Sequence, residues 1–396
     1  ELTVKQVQER DPKVTAHPQP GYFQGPVDID IDGRVRRVWL GAKALNVFTF
    51  AVEREPALVH FDHEGAWLKE LRFAKPPEEL LHQLRHTADA AGRQWAIDQL
   101  VALAKAATTA PEMRQRIVAA FMEVAARRVA RHPDRRDGGI ERVAEHRPVY
   151  WRVRFNALQA MRSVLAPGLA VTPTAIQVPQ EAVVLDEATR QALGEVVRTE
   201  GGWLRAAALG LLGLTRDAGL AELYLAHLRD RSDRVVNASA TALGRSGSSQ
   251  AFEALQALPA HPSWKNQSLI SALDGLRDLG DPRGVPLALQ ALADVRSPRW
   301  TLATPVWDYR LAAAHTLAAL GAGGQGTPIV LGHLEAALGE NDVNDVFSNV
   351  LLLVVLADAR ALDALARLEE RYRGDADALE VLKGYRAQLE EKLKAR

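Results

Sequence analysis

The sequence predicts an α+β multidomain chain, with a small antiparallel β-sandwich over residues 1–74 followed by an all-α solenoid over 75–396. Three observations carry this. Gly210 and Gly213 return as Gly244 and Gly247 after 34 residues, the second glycine returns as Gly280 after 33 more, and Gly321 follows 41 further on. Each copy joins a small, Ala-rich apolar segment through a glycine turn to a Leu-rich amphipathic one, at 220–228, 252–258, 285–292 and 329–338. A helical hairpin of this length cannot bury its apolar face alone, so hairpins stacked at a fixed period form a solenoid. The third observation is that the first 74 residues show alternating, strand-like patterning instead.

Composition bounds the rest. A chain of 396 residues exceeds one ordinary compact core, which a repeat array resolves. With 49 basic against 49 acidic residues, no global field draws the chain to nucleic acid or an anionic membrane. No cysteine is present, which excludes disulfides, thiolate metal sites and cysteine nucleophiles. The longest apolar run, residues 350–357, is far short of a membrane span. Because the chain opens on Glu1 and alternates at once, a longer parent is expected, with any leader upstream. A cytoplasmic setting is the favoured expectation.

In chain order, residues 2–8, 27–32, 35–40, 45–52 and 58–61 read as short strands separated by Gly, Pro and Asn. Asp32-Gly33 between two alternating runs signals a two-residue hairpin. Lys5, Asp28, Asp30, Arg34 and Arg36 are expected on the solvated faces of the sheets. Pro76-Pro77-Glu78-Glu79 starts the first helix, since proline suits a first turn and carboxylates suit the positive end of the dipole. Helical periodicity continues through 80–85, 93–106, 113–131 and 151–165. Residues 167–184, with three prolines, read as an ordered wrapping connection, and the regular repeats run from about 200 to 370.

Val4-Lys-Gln-Val-Gln8, Phe23-Gln-Gly-Pro-Val-Asp-Ile-Asp-Ile31, Val47-Phe-Thr-Phe50 and Glu55-Pro-Ala-Leu-Val-His-Phe-Asp62 resemble the small β-domain that follows the catalytic domain of aminopeptidase-N-like zinc metallopeptidases. Trp67, Leu71, Lys75, the Glu78-Glu79-Leu80 helix start and Gly92-Arg93-Gln-Trp-Ala96 continue the likeness toward a HEAT- or armadillo-like helical domain. The resemblance covers about the first hundred residues in detail and the remainder only in architecture. It implies a noncatalytic C-terminal portion that closes the active-site cavity and limits peptide access. Its partners would be the catalytic domain, in the same parent chain or in trans, and peptide substrates. The catalytic zinc would belong to that absent domain, with no cofactor and no catalytic residue in this chain. The alternative is a stand-alone helical-repeat scaffold that binds proteins on its concave face.

His63-Glu-Gly-Ala-Trp67 approaches a His-Glu-x-x-His zinc motif but fails at the second ligand, where Trp67 cannot coordinate. His60, Asp62, His63 and Glu64 are read as a polar strand-end turn, with a different metal site as the alternative. Gly321-Ala-Gly-Gly-Gln-Gly326 has the spacing of a dinucleotide-binding loop but follows a repeat helix, so an inter-helical turn is expected. Gly244-Arg-Ser-Gly247 lacks the final glycine of a nucleophile elbow.

Two surface features are candidate partner or peptide contacts. Arg127, Arg128, Arg131, Arg135 and Arg136 crowd one helix end, where they could grip phosphates or acidic groups. Asp134, Asp137 and Glu141 are interleaved with them, which favours a solvated surface. Trp300, Trp307 and Tyr309 lie in the longest insertion within the repeats, where aromatic anchors either meet a partner or cover a core edge.

Overall fold

The computed structural model describes residues 1–8, 21–127, 150–294 and 309–395. The chain divides into two compact units, Glu1–Val164 and Leu165–Arg396. In the first, β1 (Leu2–Lys5) pairs antiparallel with β4 (Leu45–Phe48), while β2 (Gly25–Ile31) lies between β3 (Arg34–Leu40) and β5 (Val59–Phe61). Ile31 faces Arg34 across the β2–β3 ladder, so Asp32-Gly33 is a two-residue turn. Both turn residues have positive φ, 49° and 82°, as a tight hairpin compatible with strand twist requires. Alternation buries Val27, Ile29 and Ile31 with Leu40 and Phe61, and Leu2, Val4 and Phe48 of the other sheet pack on the same cluster. Two small antiparallel sheets over one apolar cluster thus stand where a sandwich is expected. Asp30 corrects the expectation of a solvated face. It is buried, because the 62–65 turn lies over that side of β2, and its Oδ1 accepts the Gly33 N–H at 2.7 Å.

The change from strand to helix falls inside this unit, between β5 and α1 (Pro77–His86), and α2 (Ala90–Lys105), α3 (Pro111–Ala126) and α4 (Trp151–Leu165) follow. Pro77 in the first turn and Glu78 and Glu79 beside the free N–H groups start α1 as the sequence predicts. The α3 helix ends at Ala126, short of the predicted 131, because Arg127 takes an extended ψ of 108°.

In the second unit β6 (Ala170–Val171) and β7 (Ile176–Gln177) make a short hairpin within the 167–184 connection. Twelve helices follow among the described residues: α5 (Glu187–Thr199), α6 (Gly202–Gly213), α7 (Ala221–His227), α8 (Asp233–Ser246), α9 (Ala251–Ala257), α10 (Gln267–Leu279), α11 (Val285–Ala293), α12 (Tyr309–Ala319), α13 (Gly323–Glu340), α14 (Val343–Leu356), α15 (Ala361–Arg371) and α16 (Ala376–Lys394). Each odd-numbered helix of this unit packs on the even-numbered one after it, and α6, α8, α10, α12 and α14 each pack on the next even-numbered one. This is the stacked-hairpin arrangement of a HEAT-like helical solenoid. The even row is its central layer: every residue of α12 from Leu311 to Leu317 and of α14 from Val346 to Leu356 is buried. That accounts for the long apolar run, since a helix apolar on all sides is covered on all sides.

The repeated glycines divide into two roles, which corrects the single turn role expected. Gly247, Gly280 and Gly321 have φ of 63°, 72° and 70° and follow α8, α10 and α12 as left-handed caps. Gly210, Gly213 and Gly244 lie inside helices instead. A Cβ on Gly244 would sit 2.1 Å from the Gly275 carbonyl oxygen of α10, so its absence lets two helix backbones touch. Within the would-be dinucleotide loop, Gly321 follows α12 with a left-handed φ and Gly323 already opens α13.

Candidate functional site

In the first unit, the polar turn after β5 joins the sheet to the helices. The Asp89 side chain caps α2 by accepting the N–H groups of Ala91 and Gly92, both at 2.9 Å. Its Oδ2 also meets His60 Nε2 at 2.8 Å and the Glu64 N–H at 3.1 Å. Burial pushes the Asp89 carboxyl up, but the His60 hydrogen bond and the two backbone N–H groups outweigh it and hold the pKa at about 2. Lys75 completes the joint. It is buried beside Glu79 at 2.9 Å and Gln83 at 2.7 Å, and its Nζ donates to the Val59 carbonyl. Burial lowers the Lys75 pKa, and the Glu79 carboxylate opposes that.

One ligand atom from each of His60, His63 and Asp89 lies within 4.8 Å of the others, so these residues could approach a metal ion together. Asp89 stands outside the 60–64 cluster that the sequence singled out; its helix-capping position was legible, its pairing with His60 across 29 residues was not. Asp62 and Glu64 do not join the group. The Asp62 carboxylate accepts the Ala66 and Trp67 N–H groups and pairs with Lys69. With Asp89 Oδ2 already accepting three hydrogen bonds, the cluster works as a tie between β5 and α2. His63 opens a 3-10 turn rather than an α-helix, and Trp67 donates its Nε1–H to the Pro26 carbonyl at 2.8 Å.

The remaining sequence candidates are dispersed. Arg127 pairs with Glu123 at 2.6 Å and donates to the Arg85 carbonyl at 2.7 Å, closing the end of α3. Arg128, Arg131, Arg135, Arg136, Trp300 and Trp307 lie outside the described residues. Tyr309 is 2% exposed and belongs to the core of the second unit.

Sequence reasoning missed two features of the second unit. The first is a polar seam between even helices. Asp274 and Asp278 of α10 receive Asn237 at 2.8 Å and Arg245 at 2.7 Å from α8, while Arg277 of α10 binds both carboxylates at 2.5 and 2.8 Å. Arg310 of α12 reaches Asn349 of α14 and His333 of α13, each at 2.7 Å. The second is an aromatic and cationic edge at the N-terminal ends of α6, α8 and α10. The Arg234 guanidinium lies 3.6 Å from the Trp203 ring centre and the Lys265 ammonium 4.6 Å from that of Trp264. Trp203 is 43% and Trp264 62% exposed. Between the start of α6 and the α7–α8 turn a depression of about 570 Å³ is lined by Gly202, Arg205, His227, Arg229, Asp230 and Arg231. Arg205 is held there by Asp230 at 2.5 Å, while Arg229 and Arg231 are exposed. Trp beside Arg is the composition of an interface anchor.

No described helix is long and apolar enough to cross a membrane. No family model matches the chain and no curated protein matches it. Among solved structures it is similar to the complex of CpcE and CpcF of phycocyanin lyase from Nostoc, at 16% identity and a TM-score of 0.41 over 82% of this chain and 98% of that one. It is also similar to importin β, at 14% identity and a TM-score of 0.42 over 77% of this chain and 39% of that one. Likeness at this level attributes neither protein's activity to this chain. These findings correct the sequence-based resemblance: neither the lyase complex nor importin β is an aminopeptidase, and the origin as the C-terminal region of a zinc metallopeptidase is withdrawn.

Proposed function

We propose that this chain is a helical-repeat scaffold that binds a partner protein along the N-terminal edge of α6, α8 and α10. The observation that carries the reading is the exposed Trp203 and Trp264, each under a cation, with Arg229 and Arg231 exposed on the depression that Gly202 also lines. A rigid row of helices offers such residues in fixed spacing, which lowers the ordering cost of binding. In this reading residues 1–74 are a β-sandwich domain and 75–396 the solenoid, working without a cofactor, in the cytoplasm, on a protein rather than a nucleic acid.

Photo-cross-linking in the native host tests it. A photoreactive residue at position 203 or 264 is expected to give discrete protein adducts, whereas one at Glu222, exposed on α7, is expected to give none. Arg229→Glu with Arg231→Glu should remove the adducts while leaving the helical circular dichroism unchanged. Absence of adducts at both tryptophan positions would overturn the reading.

A further inference from the structure

We propose that His82 and His86 of α1 form a binding site for a divalent transition-metal ion, zinc or copper by its chemistry, held between the two imidazoles on the surface of the first unit. The site goes beyond the scaffold reading and shares no residue with the partner edge, which works without an ion. Residues four apart on a helix share a face, and two histidines at that spacing are the paired ligands of helical zinc motifs. In α1 their ring centres stand 4.4 Å apart, with the planes inclined by 33°. An ion about 2.0–2.1 Å from an imidazole nitrogen sits about 3.2 Å from the ring centre, so two rings on one ion have centres about 4.5–5 Å apart. A small side-chain rotation therefore brings the pair to chelating separation. Neither ring makes a hydrogen bond or an ion pair among the described residues. This separates them from the β5 cluster, where His60 Nε2 and Asp89 Oδ2 bind each other at 2.8 Å. Histidine is mostly neutral at about pH 7, the form that ligates metals, so each ring keeps an unprotonated nitrogen to give.

The surroundings admit a cation. Both rings line a depression of about 440 Å³ together with Glu55, Glu78 and Glu79. Glu78 is paired with Arg116 at 2.7 Å and Glu79 with Lys75 at 2.9 Å. Glu55 is exposed and has no ion-pair partner among the described residues. Arg85, on the same wall, and Arg127 share Glu123 at 2.8 and 2.6 Å, and the guanidinium charge left over there is offset by Glu55. His82 is half-buried and His86 exposed, so an ion reaches both from solvent and keeps water in its remaining positions. The backbone that carries them is anchored, because α1 buries Leu80, Leu81, Gln83 and Leu84, and a pair held in place loses little freedom on binding. Imidazole suits zinc, copper and nickel, whereas magnesium and calcium take oxygen ligands.

Isothermal titration of the full chain with zinc chloride, and separately with magnesium chloride, tests the site. Zinc is expected to bind and magnesium not. His82→Ala and His86→Ala should each weaken zinc binding by at least about tenfold, since loss of a mere outer-shell contact costs a metal site that much. The double variant should abolish it, while His261→Ala, in the second unit, should leave it unchanged. No zinc uptake by the native chain would overturn the proposal. So would uptake that survives the double variant but is lost in His63→Ala, which would place the ion at the β5 cluster. Electron paramagnetic resonance of the native chain with one equivalent of copper(II) serves if a variant does not fold. Coupling to two imidazole nitrogens is expected there, and ligation by oxygen alone would overturn the site. Both readouts are independent of adducts at positions 203 and 264, so the scaffold reading and the metal site can fail separately.

Discussion

The junction of sheet and helices in the first unit and the seam between repeats in the second solve one problem differently. At the junction, contacts are used once. His60, Lys75, Glu79, Gln83 and Asp89 each make a bond that nothing repeats, including Glu79 to the Val59 N–H at 3.0 Å and Gln83 to the Gly92 carbonyl at 2.8 Å. Along the seam the devices recur from helix to helix: a small residue permits close approach, as at Gly213 against Ala242 and Gly244 against Gly275, and a polar pair fixes the register. A lesion at the junction should free the sheet from its helices. One in the seam should act on nearest neighbours, as in any one-dimensional array.

The largest expected effect is at Arg277, 9% exposed at its side chain and bound to Asp274 and Asp278. Burial opposes its charge, but the two carboxylates outweigh that and raise its pKa. Arg277→Ala removes the side chain that binds both carboxylates, leaving Asp278 with Arg245 and Asp274 with Asn237, and should destabilise the second unit by about 3 kcal/mol in chemical denaturation. Replacing the whole set with apolar residues should cost less, because no charge is left unpaired. A loss under about 1 kcal/mol for Arg277→Ala would show that water reaches the seam.

Gly244→Ala comes next. Alanine is the better helix former by up to about 1 kcal/mol, yet here its methyl would meet a backbone oxygen that cannot swing away. The overlap should win, with a net loss of about 2–3 kcal/mol visible as a lower denaturation midpoint and faster exchange in α8 and α10.

What was legible in the sequence follows the range of the interaction. Asp32-Gly33 was readable because turn chemistry is local, and the boundaries of β3 and α4 fall within a residue of the alternation and periodicity that predict them. Gly244 was readable as a repeated glycine but not as a helix contact, because its reason is Gly275, 31 residues on. The start of α13 at Gly323 was missed for a related cause: Gly-Gly-Gln-Gly-Thr-Pro328 has poor helix propensity, but at Gly323 the close approach to the Leu356 carbonyl, 2.2 Å from a notional Cβ, demands a residue with no side chain. The candidate edge at Trp203 and Trp264 was hidden because two tryptophans 61 residues apart become related only when alternate helices stack.

The two regions should also respond to acid in different windows. His315 in the second unit has its pKa lowered from 6.5 to about 4, first by burial, then by Arg277 and Lys392, with the Pro173 carbonyl opposing. The unfolded chain takes up this proton first, so stability falls as pH drops from 6.5 to about 4, by about 3 kcal/mol, and is then level. Asp89 in the first unit has its pKa lowered from 3.8 to about 2. Its contribution is fully present above 3.8 and is lost as pH falls through about 2, amounting to about 2 kcal/mol. Hydrogen exchange at stepped pH should therefore loosen the second unit before the first. His315→Asn should flatten the upper window only, and Asp89→Asn the lower only.

The smallest effect gives the sharpest comparison, because Gly210 and Gly244 are 34 residues apart and each opens a Gly-x-x-Gly pair in the sequence. Gly244 touches the next helix, while a Cβ on Gly210 would meet nothing within 4 Å. Gly210 lies inside α6, where glycine loses more backbone entropy on folding than alanine does. Gly210→Ala should therefore stabilise the chain by about 0.5–1 kcal/mol, raising the melting temperature of the second unit by about 1–4 °C in calorimetry. If Gly210→Ala were to destabilise the unit as Gly244→Ala does, the two positions would be packed alike and the even row would be more regular than its contacts show. Opposite signs would establish that a residue repeated in sequence can be held for packing at one site and merely tolerated at the other.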